Sequence, residues 1–307
     1  MKKKYALFTN DVEDHSIWFN DLRYETGEKV VSDGMPMLLD IYAKLNIKTT
    51  FFFTGYMAEK FPEVVRMVLP YGHEVASHGY SHKVEEAFDV LPLNIQIDHL
   101  NKSKKLLEDI SGQEVVSFRA PALRVNQNTP IALAETGFKI DSSVASQRFD
   151  MFLSFGGMNK LKWLFAPRLP YRTAKDNLFK KGNSSIIEVP LSAFLLPFTS
   201  TTMRIFPLVT SLQKVMINIE SNFNSKPIVF DIHPNEFIDE SDKDRIISRR
   251  ASNPVSYILK DVLRGKLKIK NLGAPCIPIY RDLITYFISQ NYKTVTLQEY
   301  CKVSNLL

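Results

Sequence analysis

Residues 72–82, GHEVASHGYSH, join a glycine, a short β-forming run and two histidines four positions apart. Gly72 ends the helix-period stretch Pro62 to Leu69, and His73 to Ser77 then reads as a strand whose carboxyl end delivers His78 and His82. A four-residue spacing brings two imidazoles to one face of a helical turn. Neutral imidazole is the commonest nitrogen ligand for a metal that must activate water. Taken alone, the pair reads equally well as two surface histidines.

Working outward, short apolar runs alternate with helix-period stretches. Strands are predicted at Tyr5 to Thr9, Thr49 to Phe53, Val115 to Phe118, Phe138 to Asp141, Ile186 to Val189, Ile228 to Ile232 and Thr294 to Leu297. Helices are predicted at Met35 to Leu45, Asn94 to Ile110, Thr129 to Glu135 and Tyr280 to Gln290. This alternation predicts an α/β fold with a mainly parallel sheet. Residues 146–184 are long and poorly periodic, and residues 242–270 carry nine Lys and Arg against three Asp. Both read as insertions on the rim of one domain spanning 1–307, since no repeat or linker divides the chain.

Chemistry-bearing residues fall at the predicted strand ends. Asp11 and Glu13 lie two apart after the first strand, so a period of two puts both carboxylates on one side, with Asp14 turned elsewhere. Arg119, in S-F-R-A-P, is placed to grip a carboxylate bidentately. Asp141 and His233 each end an apolar strand, and a histidine oriented by an aspartate is a proton donor; Asp231, two before His233, is a second partner for it. His73 and His99 read as structural, and His15 is left open. Singly, each has a plain reading as loop solvation or a surface charge. Together they stand where α/β barrels carry their active sites.

The ordered segments FTNDVED, TTFFFTG, GHEVASHGYSH, FRAP, GFKIDSS, FDIHP and TVTLQEY resemble the polysaccharide deacetylases of carbohydrate esterase family four, the group with the NodB-homology domain. The resemblance implies a distorted or incomplete (β/α) barrel and a metal-dependent hydrolase that removes an N-acetyl or N-formyl group from an amino sugar. It implies Asp11 as general base, Glu13, His78 and His82 as ligands of one divalent ion, zinc, and Arg119 as the group orienting Asp11. It further implies the Ala122 amide as oxyanion donor and His233 as general acid supported by Asp141. The chain departs from the common pattern in three places: D-V-E-D replaces two adjacent aspartates, leaving Glu13 or Asp14 as the metal acid, Ala122 stands where tyrosine is frequent, and Ser142 where an aromatic is frequent. Two other readings are a metal-independent amidohydrolase of the same superfamily acting on a small amide, and a non-catalytic glycan-binding protein.

Composition narrows the partners. With 45% hydrophobic and 23% charged residues the chain folds around a large core. The net charge of +6 comes without any nucleic-acid-binding signature, so no nucleic acid is expected. Cys276 and Cys301 have no metal-type or disulfide-framework spacing. MKKK runs directly into YALFTNDVED without an apolar stretch of signal-peptide length, which predicts a cytoplasmic protein. Val189 to Val209, interrupted by Pro190, Pro197, Arg204 and Pro207, is a poor transmembrane helix and reads as buried or membrane-facing. A cytoplasmic site and the basic run containing Arg249, Arg250, Arg264 and Lys266 suit a phosphate- or lipid-linked amino sugar used in surface-glycan synthesis, with peripheral membrane contact through Phe194 to Val209.

Overall fold

Lys4–Val12 (β1) is buried from Ala6 to its end, as expected for a central parallel strand covered on both faces. The computed structural model describes residues 3–147, 163–241, 244, 249 and 253–307. Its main sheet comprises β1, Thr50–Phe53 (β2), Glu74–Ser77 (β3), Ser117–Phe118 (β4), Ile140–Asp141 (β5), Tyr171–Ala174 (β6), Asn177–Lys181 (β7), Ile187–Glu188 (β8), Ile228–Ile232 (β9) and Tyr292–Thr294 (β10). The spatial order is β9-β1-β2-β3-β4-β5-β8-β6-β7, with β10 also on β1. From β9 to β8 every pairing is parallel; β6 and β7 add an antiparallel hairpin.

The sheet curls into an incomplete barrel. Across the gap between β8 and β9 the chain is bridged by residues 189–199. Leu191 N–H donates to the Val144 carbonyl (2.9 Å), Ser192 N–H to that of Val229 (3.0 Å), and Thr199 bridges Asp231. Helices Met35–Leu45 (α1), Leu93–Ser111 (α2), Thr129–Glu135 (α3), Pro207–Asn224 (α4) and Cys276–Ser289 (α5) supply the crossovers. Phe8, Phe230, Tyr280 and Phe287 form an aromatic cluster in the core, with Phe230 and Tyr280 stacked at 5.7 Å.

Three expectations change. The 146–184 stretch is not poorly structured throughout, because β6 and β7 form its second part; residues 148–162 lie outside the described residues. The last strand ends at Thr294, not Leu297, because Thr296 caps a helix over Leu297–Val303 by accepting from Glu299 N–H (3.1 Å). Of the 242–270 run, Pro254–Lys268 is helical, while residues 242–243, 245–248 and 250–252, including Arg250, lie outside the described residues, as does the Arg264 side chain. Most of Val189 to Val209 is buried, with Leu195, Phe206 and Leu208 exposed. No described helix is long and apolar enough to cross a membrane.

Two packing details set up the strand ends. Gly34, just before α1, is buried where a Cβ would stand 2.4 Å from the carbonyl oxygen of Pro234, the residue after His233. Gly34→Ala is therefore expected to lower stability by about 1–3 kcal/mol, read as a lower urea midpoint at unchanged slope; an unchanged midpoint would show that the loop yields freely.

The parallel register of β5 and β8 sets Glu188 beside Asp141, both fully buried. Asp141 Oδ2 and Glu188 Oε2 are buried without a hydrogen-bond partner, and burial raises both carboxyls above their ordinary values. Burial, and then the neighbouring Asp141, hold Glu188 well above its ordinary 4.5. The folded chain keeps a proton that the unfolded chain releases, so stability is greatest below the ordinary carboxyl value and is lost as the pH rises through the folded one. Glu188→Gln is expected to flatten the fall in urea midpoint as the pH rises above the ordinary carboxyl value; a slope equal to wild type would show that the pair holds no extra proton.

Candidate metal and catalytic site

Every chemistry-bearing residue sits at the carboxyl end of a parallel strand. On β1 the alternation places Thr9 and Asp11 on one face, and Glu13 follows in step. Arg119, one residue past β4 and wholly buried, reaches across the barrel to them. Its Nη1 lies 2.8 Å from Thr9 Oγ1, 2.9 Å from Asp11 Oδ1 and 2.6 Å from Asp231 Oδ1. Nε donates to the Ser142 carbonyl (3.0 Å) and Nη2 to Ser142 Oγ (3.1 Å), while the Phe52 ring lies 4.4 Å from the guanidinium carbon. Two carboxylates on one nitrogen do not both ionise freely. Burial pushes Asp11 up, but Arg119, His78 and His233 bring it below its ordinary value. Burial and the Asp11 charge push Asp231 up to about 8.

Glu13, His78 and His82 turn their ligand atoms to within 4.8 Å of one another. His78 Nδ1 lies 2.8 Å from the Arg119 carbonyl, which only accepts, so Nδ1 carries the proton and Nε2 keeps its lone pair for the cavity. That Nε2 is 3.7 Å from Asp11 Oδ2 and 3.9 Å from Glu13 Oε2, too far for hydrogen bonds. Glu13 Oε2 is 3.0 Å from His82 Nε2 yet buried without an aligned donor. Burial pushes Glu13 up, and the His82 imidazole beside it brings it well below the usual carboxylate value. An orphaned carboxylate oxygen facing two imidazole nitrogens fits a divalent ion. Asp11, Asp231 and His233 form a second such group, but the Arg119 cation already occupies its carboxylates.

The expected helical turn between the two histidines is absent. Residues 78–83 form an irregular loop, in which Gly79 has a φ of +70° and its carbonyl accepts from Gly55 N–H (2.9 Å). The loop, rather than helical spacing, brings the imidazole rings to 5.8 Å.

His233 Nε2 lies 4.0 Å from both Asp231 Oδ2 and Glu13 Oε1. Burial disfavours its charge, but Asp231 and Glu13 outweigh this and raise His233 to about 9. Of the two aspartates expected to support His233, Asp141 has Glu188 paired beside it in the sheet and accepts from Ser143 Oγ (2.6 Å), while Asp231 lies 4.0 Å from His233. Ala122 lines the same cavity in a left-handed conformation (φ 51°). Asp14 is buried and raised to about 6 by that burial and by Glu13, and it belongs to neither ligand group. His73 Nδ1 accepts from Thr49 N–H (3.1 Å), a structural role; His99 packs on Tyr80, and His15 lines the cavity with its ring 6.0 Å from that of His82.

Glu13, His82, Ala122 and His233 line one open cavity of about 190 Å³. Sequence reasoning missed Thr9, Ser142, Ser143 and Glu188. Extending the period-two argument back from Asp11 finds Thr9, and a carboxylate inside the apolar run Ile186 to Val189 marks Glu188. The Ser142 and Ser143 contacts depend on how β4 and β5 align and leave no local signal.

Residues 10–140 match the family model described as polysaccharide deacetylase. The peptidoglycan deacetylase of Helicobacter pylori is 34% identical over 162 residues, covering 53% of this chain and 54% of that protein, so the chain matches about half the length of this relative. A Mycobacterium smegmatis structure described as a polysaccharide deacetylase superposes with a TM-score of 0.63 at 22% identity, covering 98% of this chain and 90% of that one. The allantoinase Puue superposes at 0.60 with 14% identity, covering 97% and 89%. These structural likenesses establish the fold. The polysaccharide deacetylase family is supported for this chain by its residues 10–140, the stretch that contributes Asp11, Glu13, His78, His82 and Arg119.

Proposed function

We propose that this protein is a metal-dependent hydrolase that removes an N-acetyl or N-formyl group from an amino sugar, on a glycan or a carrier-linked precursor of surface polysaccharide. One observation carries the reading. An orphaned acid faces two imidazoles beside an Arg119-held Asp11, and Glu13, His82 and His233 line one cavity. Glu13, His78 and His82 would hold the ion, zinc by its suitability to nitrogen and carboxylate donors. When bound it supplies Lewis acidity toward a carbonyl and lowers the pKa of a water.

The chain's own residues do the rest. Asp11, ionised and fixed by Arg119, takes the proton of the attacking water as its oxygen bonds to the acyl carbon. The Ala122 N–H donates to the oxyanion that develops on the carbonyl. His233, protonated beside Asp231 and Glu13, gives its proton to the amine nitrogen as the C–N bond breaks. The products are the carboxylic acid and the free amino sugar. Single-domain organisation and a cytoplasmic site complete the proposal.

Protein purified without chelator is expected to carry about one equivalent of divalent ion, absent from the His78→Ala/His82→Ala variant. Asp11→Asn is expected to keep the ion while losing about 100- to 10,000-fold in acetate release. A wild type that takes up no zinc would move the metal-independent amidohydrolase or the glycan-binding reading ahead; ion loss in Asp11→Asn would overturn the base assignment.

Membrane contact is proposed through the outer face of α4 rather than the whole of Phe194 to Val209. Leu208, Leu212, Val215, Ile219 and Phe223 recur there at helical spacing, with Leu208 88% and Phe223 79% exposed. Sedimentation with anionic lipid vesicles is expected to carry down wild type and to fail for Leu208→Glu/Ile219→Glu; equal sedimentation of both would remove α4 from any membrane contact.

A further inference from the structure

The catalytic groups occupy only one side of the cavity. Its rim carries three cations, Lys83, Arg124 and Lys268, and among its described lining residues Glu13 is the sole acid. Since Glu13 is a candidate metal ligand, the rim itself has no anion lining it.

Arg124 is built into the wall rather than trailing in solvent. Its Nε pairs with Asp89 Oδ1 (2.8 Å), and Nη1 donates to the Val84 carbonyl (3.3 Å). The Nε–H is buried without an aligned acceptor, so the Val84 bond engages only part of the five-donor fork whose geometry recognises carboxylate and phosphate. Lys83 is half exposed, with its ammonium 3.5 Å from Glu86 Oε1.

An independent observation concerns Asn20. The residue lines the same cavity, only 5% of it is exposed, and Nδ2 is buried without a hydrogen-bond partner among the described residues. The residue is held in a left-handed conformation (φ 58°). A buried amide donor without an acceptor costs free energy unless something that enters the cavity supplies one.

From the cationic rim and the orphaned Asn20 donor we infer that the cavity selects an amino sugar bearing an anionic substituent, a phosphate ester or a carboxylate, with Arg124, Lys83 and Lys268 reading the anion and Asn20 an oxygen acceptor of the sugar. The inference rests on the proposed deacylation and names its substrate class. Phosphate and carboxylate share the recognition chemistry, so the test carries one arm for each.

Acetate release is measured at low salt from chitotriose (neutral), N-acetylglucosamine 1-phosphate and N-acetylmuramic acid. At least one anionic substrate is expected to exceed the neutral one in kcat/KM by about tenfold or more, the equivalent of one charge-assisted contact. Which anionic arm responds identifies phosphate or carboxylate. The advantage is expected to shrink in Lys268→Gln and Lys83→Gln, and in high salt. Asn20→Asp, which replaces the donor with an anionic oxygen, is expected to penalise anionic substrates more than the neutral one.

Calorimetric binding of N-acetylglucosamine 1-phosphate and of N-acetylmuramic acid against N-acetylglucosamine gives a readout independent of turnover. Made on the wild type, it needs no Arg124 substitution, which would leave Asp89 unpaired. Acetate released from all three substrates with equal efficiency, or equal affinity for charged and neutral sugars, overturns the anionic selection while leaving the hydrolase standing. No acetate from any substrate, with tighter binding of a charged sugar, overturns the hydrolase reading and keeps the anionic site.

Discussion

The site depends on one buried guanidinium. Arg119 has no exposed surface, and its nitrogens tie together Thr9 and Asp11 on β1, Ser142 past β5 and Asp231 on β9. A buried cation of this kind is tolerable only when its carboxylate partners and remaining hydrogen bonds are all in place, and removing one partner costs about 3–5 kcal/mol. The strands at the open mouth of the barrel are thereby cross-linked where backbone pairing is shortest, since β4 and β5 each span two residues. The same cation favours the charged form of both carboxyls, bringing Asp11 below its ordinary value, while burial and the Asp11 charge still push Asp231 up to about 8.

Alternation on β1 then divides the labour between two acids. Asp11 faces Arg119 and keeps a proton-accepting oxygen 3.7 Å from His78, while Glu13 falls beyond the guanidinium and faces the histidines. A metal ion and a guanidinium repel, so they occupy one site only when separate carboxylates serve them. Spacing by two along an extended chain, with Arg119 arriving from β4, provides that separation. His78 links the halves, because its Nδ1 proton is committed to the carbonyl of Arg119 itself.

What was legible in the sequence follows from the range of the interactions. Strand ends bearing Asp11, His78, Arg119 and His233 were readable because apolar runs end there, and parallel strands gather their carboxyl ends at one mouth. The two-histidine pairing was readable as proximity and misread as a helical turn, because spacing reports separation along the chain and not the left-handed Gly79 that folds the loop. Asp141 illustrates the harder limit. Its position at a strand end matches that of a histidine's partner, yet the register of β5 against β8 gives it Glu188, a residue 47 positions later. Nothing local announces a register, which is set by the burial of whole strand faces. The hairpin of β6 and β7 was missed for a related reason: its Lys- and Asn-rich sequence lacks strict alternation and is stabilised by pairing to the edge of β8.

Asp231 lies 4.0 Å from His233 and 2.6 Å from Arg119 Nη1, so two cations oppose the burial and the Asp11 charge that raise it. Loss of the His233 proton would weaken the attraction that favours Asp231's anionic form, and burial would drive that carboxyl further toward its neutral state. Proton loss at one group thus raises proton affinity at the next, with Asp11 on the same guanidinium nitrogen. The three groups titrate as a unit around Arg119. A change at any one of them is therefore expected to shift the protonation of the other two, and single substitutions there will not act additively.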